Sequence, residues 1–434
     1  MLAILVLLAA PYDADVAARI VGSALAEGVA YRRLEELTDT IGPRLAGSTG
    51  DRLAVRWAFE KMKADGLAAR LEPVRVPRWE RGEERAWIVG GAGQRLAVTA
   101  LGGSAPTPEG GLEAELVVVR SLEELTERVK GRIVLFDHSM PRGGGYGKFA
   151  KLRTEGPAAA SKSGAAAALV RSLATSSMRS PHTGATDFTK APPIPAAAVS
   201  VEDAQLLVRL AARGPVRVRL VLGCRTLPDA ESHNVVGEVR GRDQPEEIVL
   251  FGAHLDSWDL GTGAIDDGAG VVMAMEVGRL IARSRPRRTV RIVLFANEEN
   301  GLRGAQAYAS AHAAALASHV AAIEADHGAG RALGVTAEGK FLEAWLPPLA
   351  ALGVAQAISG GSRGGADLSP MKPARVPFVT VEQDGARYFD WHHSAADTFD
   401  KVDPVELAQA TAAYAWVVFA LAEAEETLPR VVAP

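Results

Sequence analysis

At 434 residues and 45.6 kDa the chain exceeds one ordinary hydrophobic core, so two domains, or one carrying a large insertion, are expected. A hydrophobic share of 48% against 23% charged residues excludes a disordered chain. The net charge of −4 and pI near 6.2 show no basic excess, which argues against nucleic acid as a partner, and the single cysteine, Cys224, excludes an internal disulfide framework.

Residues 2–10 form a purely apolar run that ends in small residues before Pro11, the length of a signal-peptide core and short of a spanning helix. A positively charged leader is missing from it. The run nevertheless reads as an export signal, with residues 1–12 its remnant and the mature protein secreted or periplasmic. No other stretch reads as a membrane span. Residues 14–40 carry mixed helical periodicity, 41–48 are rich in turn formers, 50–65 predict a helix that stops at Gly66, and 70–76 alternate like a strand.

The texture changes from about 90 to 225. Segments 116–120, 132–137, 165–170, 194–199 and 216–222 read as short strands, with helical stretches at 121–130, 157–164 and 201–213. A Gly-, Ser- and Pro-rich stretch at 140–192 reads largely as long surface loops. With no cluster of ligands or catalytic pairs, this block reads as a non-catalytic insertion. The chain thus divides into 13–90, an insertion at 91–225, and a catalytic part at 226–434 that shares its domain with 13–90.

After Ser232 strands and helices alternate again. Strands are expected at 235–239, 248–252, 290–296, 320–325 and 378–381, and helices at 268–283, 302–317 and 404–424. That order predicts an α/β domain with a largely parallel sheet, whose site forms beyond the carboxyl ends of the strands.

Each strand end can be examined for chemistry. His254-Leu255-Asp256 follows the strand at 248–252, where an imidazole can bind a metal while a carboxylate two residues on fixes its tautomer. Gly263-Ala264-Ile265-Asp266-Asp267-Gly268-Ala269-Gly270 opens the next helix with adjacent acids, which either favour the helix dipole or bridge two cations. Glu298-Glu299 follows the strand at 290–296, a pair suited to one metal ligand and one proton carrier. Asp326-His327 ends the strand at 320–325, where either residue, or Glu324 on the same strand face as Asp326, can serve as ligand. His392-His393 lies among aromatics, and Asp397, four residues after His393, reads as its orienter. One His or carboxylate group per strand end yields five ligands of the right hardness for zinc.

These segments resemble the co-catalytic zinc exopeptidases, a family that includes bacterial leucyl aminopeptidases and carboxypeptidase Q. Five stations appear in the family's order: His254-Leu255-Asp256, the 263–270 block, Glu298-Glu299-Asn300-Gly301-Leu302-Arg303-Gly304, Asp326, and His393-Ser394-Ala395-Ala396-Asp397-Thr398. Asp39-Thr40-Ile41-Gly42-Pro43-Arg44-Leu45-Ala46-Gly47-Ser48 and Tyr388-Phe389 resemble the carboxypeptidase Q branch, whereas the Ala395-Ala396 pair departs from some of its members. The resemblance implies a three-layer α/β/α peptidase domain with a mixed, largely parallel sheet, interrupted by a smaller, β-rich protease-associated domain. It implies two Zn2+ ions bridged by Asp266 beside a cis peptide to Asp267, one ion adding His254 and Asp326, the other Glu299 and His393.

Within that scheme Asp256 orients His254 and Glu298 is the general base, in preference to Glu299. The loop at 360–370 lies near the substrate, with Asp367 against its amine, and Tyr388 and His392 complete the substrate-side candidates. The activity implied is hydrolysis of dipeptides or of terminal residues of short peptides, by a homodimer. Two other readings are a one-zinc glutaminyl cyclase and an inactive, receptor-like relative; the complete ligand set argues against both.

Overall fold

The computed structural model describes residues 10–176, 178–358, 362 and 364–430. All but the last residue of the apolar run at 2–10, and Gly360, Gly361 and Arg363 of the proposed substrate loop, lie outside the described residues. The catalytic part is built on eight strands: β1 (Ala68–Glu80), β2 (Arg225–Val239), β3 (Gln244–His254), β4 (Arg288–Phe295), β5 (His319–Glu324), β6 (Ala332–Ala337), β7 (Ala355–Ile358) and β8 (Phe378–Gln383). Their spatial order is β1-β2-β4-β3-β5-β8-β6-β7. The four central strands β4, β3, β5 and β8 run parallel; β1, β2 and β6 join by antiparallel pairing at the flanks, and β7 pairs parallel with β6. Strands β6 and β7, unmarked in the sequence, are short and rich in small residues, so their periodicity is faint.

Alternation along the central strands sorts two cores. Val249, Phe251, Ile292 and Leu294 face one side, where helices Ala269–Ala282 and Pro404–Glu423 cover them and helix Ala14–Ala26 packs onto those two. Leu250, Val293 and Phe295 face the other side, beneath helix Arg303–Ala311. Every residue of β4 is buried, as expected of a strand covered on both faces. The result is the expected α/β/α sandwich. Helix Pro404–Glu423 is long and apolar enough to cross a membrane, contrary to expectation, but 83% of its apolar window is buried against the other layers. Apolar on all sides, it is a core helix, capped by Asp403, whose carboxylate accepts from the amides of Val405 and Glu406.

The insertion leaves and rejoins the sheet at one rung, because Glu80 of β1 pairs with Arg225 of β2. Between them an eight-stranded second sheet forms, in the order Arg95–Leu96, Glu84–Ile88, Arg217–Leu222, Leu112–Val119, Ile133–Phe136, Ala167–Arg171, Ala196–Val199, Val98–Ala100. It begins earlier than the boundary at 91, since Glu84–Ile88 already pairs with Arg217–Leu222. The expected helix at 121–130 is instead two 3-10 turns, Leu122–Glu124 and Glu127–Val129. Within the stretch expected to be mostly loop, residues Tyr146–Thr154 form a helix that runs up to the catalytic part.

Candidate metal centre

The parallel strands deliver their polar residues to one end of the sheet. His254 is the last residue of β3, Glu298 and Glu299 follow β4, and Asp326 follows β5. His392 and His393 follow the short helix Tyr388–Trp391 beyond β8. The turn at Ala264–Gly268 brings in Asp266 and Asp267, joined by a cis peptide. Gly270 is required there: a Cβ would stand 2.1 Å from the Ala325 carbonyl and 2.3 Å from the Asp267 carboxylate.

Asp266 stands between two imidazoles. Its Oδ1 is 3.2 Å from His254 Nε2, and its Oδ2 is 3.2 Å from His393 Nε2. His254 Nε2 also faces Asp326 Oδ1 at 3.5 Å, and His393 Nε2 faces Glu299 Oε2 at 2.9 Å. Two other groupings lie close: Asp266 with His392 and His393, and His254 with Asp267 and Asp326, each with donor atoms within 4.8 Å of one another. Asp267 is the poorer ligand, because its two oxygens already accept from the amides of His254 at 3.1 Å and Gly270 at 3.1 Å.

The back of each imidazole is fixed. His254 Nδ1 donates to the backbone carbonyl of Asp256 at 3.0 Å, and His393 Nδ1 to the carbonyl of Thr183 at 3.2 Å. Each ring thereby turns Nε2 toward carboxylate oxygens, and although burial lowers both imidazoles, those carboxylates raise them well above their ordinary value. Nitrogen and carboxylate donors converging in a buried space repel unless a proton or a cation lies between them, and two imidazoles with three carboxylates are a donor set that fits zinc. Burial alone would raise the Asp266 carboxyl, but the His254 and His393 imidazoles facing it hold it well below its ordinary value. Burial raises the Glu298 carboxyl well above its usual range, and the neighbouring Asp326 and Glu299 add to the effect.

Two expected orienters act differently from the expectation. The Asp256 carboxylate is 3.8 Å from His254 Nδ1, too long for a hydrogen bond, and it is the backbone carbonyl that holds the ring. The carboxylate instead accepts the amides of Glu298 at 2.9 Å and Glu299 at 3.4 Å, tying two strand ends together. Asp397 accepts the amides of Ile265 at 2.7 Å and Asp266 at 3.1 Å, so it orients the central carboxylate rather than His393.

Of the substrate-side candidates, Asp367 is fully buried, with neither carboxylate oxygen partnered among the described residues. Beside it Glu324, an alternative ligand by sequence, accepts the amides of Asp367 at 3.3 Å and Leu368 at 3.1 Å instead. Tyr388 stacks on His327 at 5.2 Å, which draws His327 away from the histidine–carboxylate cluster. His392 stacks on His393 at 3.5 Å and keeps its Nδ1 buried without a partner.

Residues 234–418 match the model of peptidase family M28. Over 432 residues, 96% of this chain and 90% of its relative, the sequence is 38% identical to human carboxypeptidase Q. The chain belongs to peptidase family M28. A peptidase M28 precursor from Shewanella amazonensis superposes with a TM-score of 0.91, at 39% identity over 96% of this chain and 98% of that one. A zinc aminopeptidase from Bacillus subtilis shares the fold at 21% identity, with a TM-score of 0.67 over 92% and 95% of the two chains.

Other residues that support this family M28 site have no spacing signal. Arg44, fully buried, donates from Nε to the carbonyl of Leu255 at 2.9 Å, from Nη1 to those of Gly42 at 3.2 Å and Thr262 at 2.7 Å, and from Nη2 to that of Gly263 at 3.0 Å. It thereby holds the segments carrying His254 and Asp266 together. The turn-rich motif at 39–48 was the only sign of it. Thr183, the partner of His393, comes from the insertion 210 residues away and carried no sign at all.

Proposed function

We propose that this chain hydrolyses dipeptides, or terminal residues of short peptides, with two zinc ions that share Asp266. The observation that carries the reading is the central carboxylate between two outward-fixed imidazoles, each with its own further carboxylate. That the enzyme is a zinc metallo-exopeptidase rests on its family and on the carboxypeptidase and zinc aminopeptidase relatives named above. One ion would be held by His254 and Asp326, the other by Glu299 and His393. When bound, such ions polarise the scissile carbonyl and acidify a water.

The residues divide the remaining work. Glu298 takes the proton of the attacking water on its carboxylate and returns it to the leaving amine. Its raised proton affinity suits a group that must hold that proton between the two steps. Asp256 fixes the Glu298 backbone, and Asp397 fixes that of Asp266. The unpartnered Asp367 carboxylate would receive a substrate ammonium group, which supplies the donors it lacks. The apolar run at 2–10 supports a secreted or periplasmic location.

Dipeptide hydrolysis by zinc-loaded and chelated enzyme, alongside a Glu298→Gln variant, tests this reading. Chelation abolishes turnover and zinc restores it, while the variant keeps its zinc and loses turnover. Unchanged hydrolysis after chelation contradicts the metal assignment; an active variant contradicts that of the base.

A further inference from the structure

Five arginines are buried among the described residues: Arg44, Arg153, Arg279, Arg288 and Arg291. A guanidinium taken out of water is costly unless its charge and its donors are answered. Arg279 pairs with Glu276 and Glu27, Arg288 with Glu247, and Arg291 with Glu238. Arg44 has no hydrogen-bonded carboxylate, but Nε, Nη1 and Nη2 all reach carbonyls. Arg153 differs from all four.

No described carboxylate lies in ion-pair range of Arg153, and its Nε is buried without an acceptor. Nη1 reaches the Tyr146 hydroxyl at 3.0 Å and the Thr183 carbonyl at a long 3.4 Å. Its third neighbour, His393 Nδ1 at 3.5 Å, cannot accept while that nitrogen gives its proton to Thr183. The surrounding side chains, His182, His392 and His393, bring no negative charge. The position is nevertheless built. Helix Tyr146–Thr154 places Tyr146 and Arg153 two turns apart, the guanidinium stands 5.6 Å from the Tyr146 ring centroid, and a Cβ on Gly184 would stand 2.3 Å from its Cζ.

We propose that Arg153 receives the free α-carboxylate of the substrate residue that follows the scissile bond. The inference rests on the di-zinc reading above and narrows it to substrates whose leaving group is a single amino acid, foremost dipeptides. Arg153 lies behind His393, with one imidazole ring between it and the nitrogen that faces Asp266. The carboxylate of a dipeptide lies one residue, at most about 3.6 Å, beyond the scissile carbonyl. A longer carboxyl-terminal extension would carry that charge past Arg153 and place a neutral amide there. The inserted sheet thereby supplies the group that distinguishes a terminal carboxylate from an internal amide.

The test compares Ala-Leu with Ala-Leu amide as substrates of the zinc-loaded wild type and its Arg153→Gln and Arg153→Lys variants, with calorimetric binding of L-leucine as a second readout. The wild type prefers the free dipeptide. In Arg153→Gln, kcat/KM for Ala-Leu falls on the order of 10- to 100-fold, chiefly through KM, as expected for loss of a charge-assisted hydrogen bond. For the amide it changes by less than about threefold on the same basis. L-Leucine binding weakens in parallel, and Arg153→Lys, which keeps the charge and tests the idea should the Gln variant fail to fold, recovers part of the preference. An equal fall on both substrates, or a wild type without preference for the free carboxylate, overturns the inference and leaves the di-zinc reading standing. A wild type that cleaves neither substrate even with added zinc overturns that reading, and this inference with it.

Discussion

The two sheets contribute to the same centre in different ways. Strands β3, β4 and β5 of the catalytic sheet each end on or just before a ligand candidate, His254, Glu299 and Asp326, while His393 follows a short helix beyond β8. The inserted sheet offers no such series. It reaches the centre through one carbonyl, Thr183, and a helix that bears Tyr146 and Arg153. Contacts at Asp390 fasten it: Arg142 donates to that carboxylate at 2.8 Å and Thr175 at 2.7 Å. A further pair, Arg81 with Asp259, ties its first residues to the loop after β3. Chemistry is thus built into the parallel strands, while the insertion shapes what the site accepts.

Breaking each side should give effects of different size. The largest belongs to the catalytic side: Glu298→Gln should lower kcat on the order of a hundred- to ten-thousand-fold, with zinc content unchanged. Steady-state kinetics beside elemental analysis reads both. On the insertion side, Asp390→Ala removes the shared acceptor of Arg142 and Thr175. It should cost about fivefold in kcat/KM, equivalent to about 1 kcal/mol. Hydrogen exchange should rise at 386–393 and at 141–146 together; a rise at one segment alone would show that Asp390 does not couple them.

The smallest effect lies away from the site, in the fold that both sides depend on. His319, at the start of β5, is lowered to about 4 by burial, with Nδ1 facing the carbonyl of Ala315 and Nε2 the hydroxyl of Tyr308. The folded protein holds this ring neutral. Its contribution is therefore complete above the unfolded value of about 6.5 and declines as pH falls from there toward 4. Thermal melts of His319→Gln should lose less stability than the wild type across that window. Parallel curves would contradict the assignment.

What the sequence disclosed follows the same division. Strand ends with a His or an acid within a few residues are local patterns, so His254, Asp266, Glu298, Glu299, Asp326 and His393 could be named from spacing and resemblance. The bonds that orient them run across the fold. Asp397 reaches back to the amide of Asp266, Arg44 ties segments more than 200 residues away, and Thr183 meets His393 across 210 residues. No window on the chain contains both partners of such a pair. Tyr146 and Arg153 were hidden for a second reason: their helix lies in a Gly- and Ser-rich stretch whose composition resembles loop.

The central claim, two zinc ions sharing Asp266, is tested most directly by anomalous diffraction at the zinc edge from crystals of the metal-loaded protein. Two peaks about 3.5–4 Å apart are expected, both adjoining Asp266, one beside His254 and Asp326 and the other beside His393 and Glu299. A single peak, or a pair ligated through Asp267 or His392 in place of Asp266 and Glu299, would contradict it.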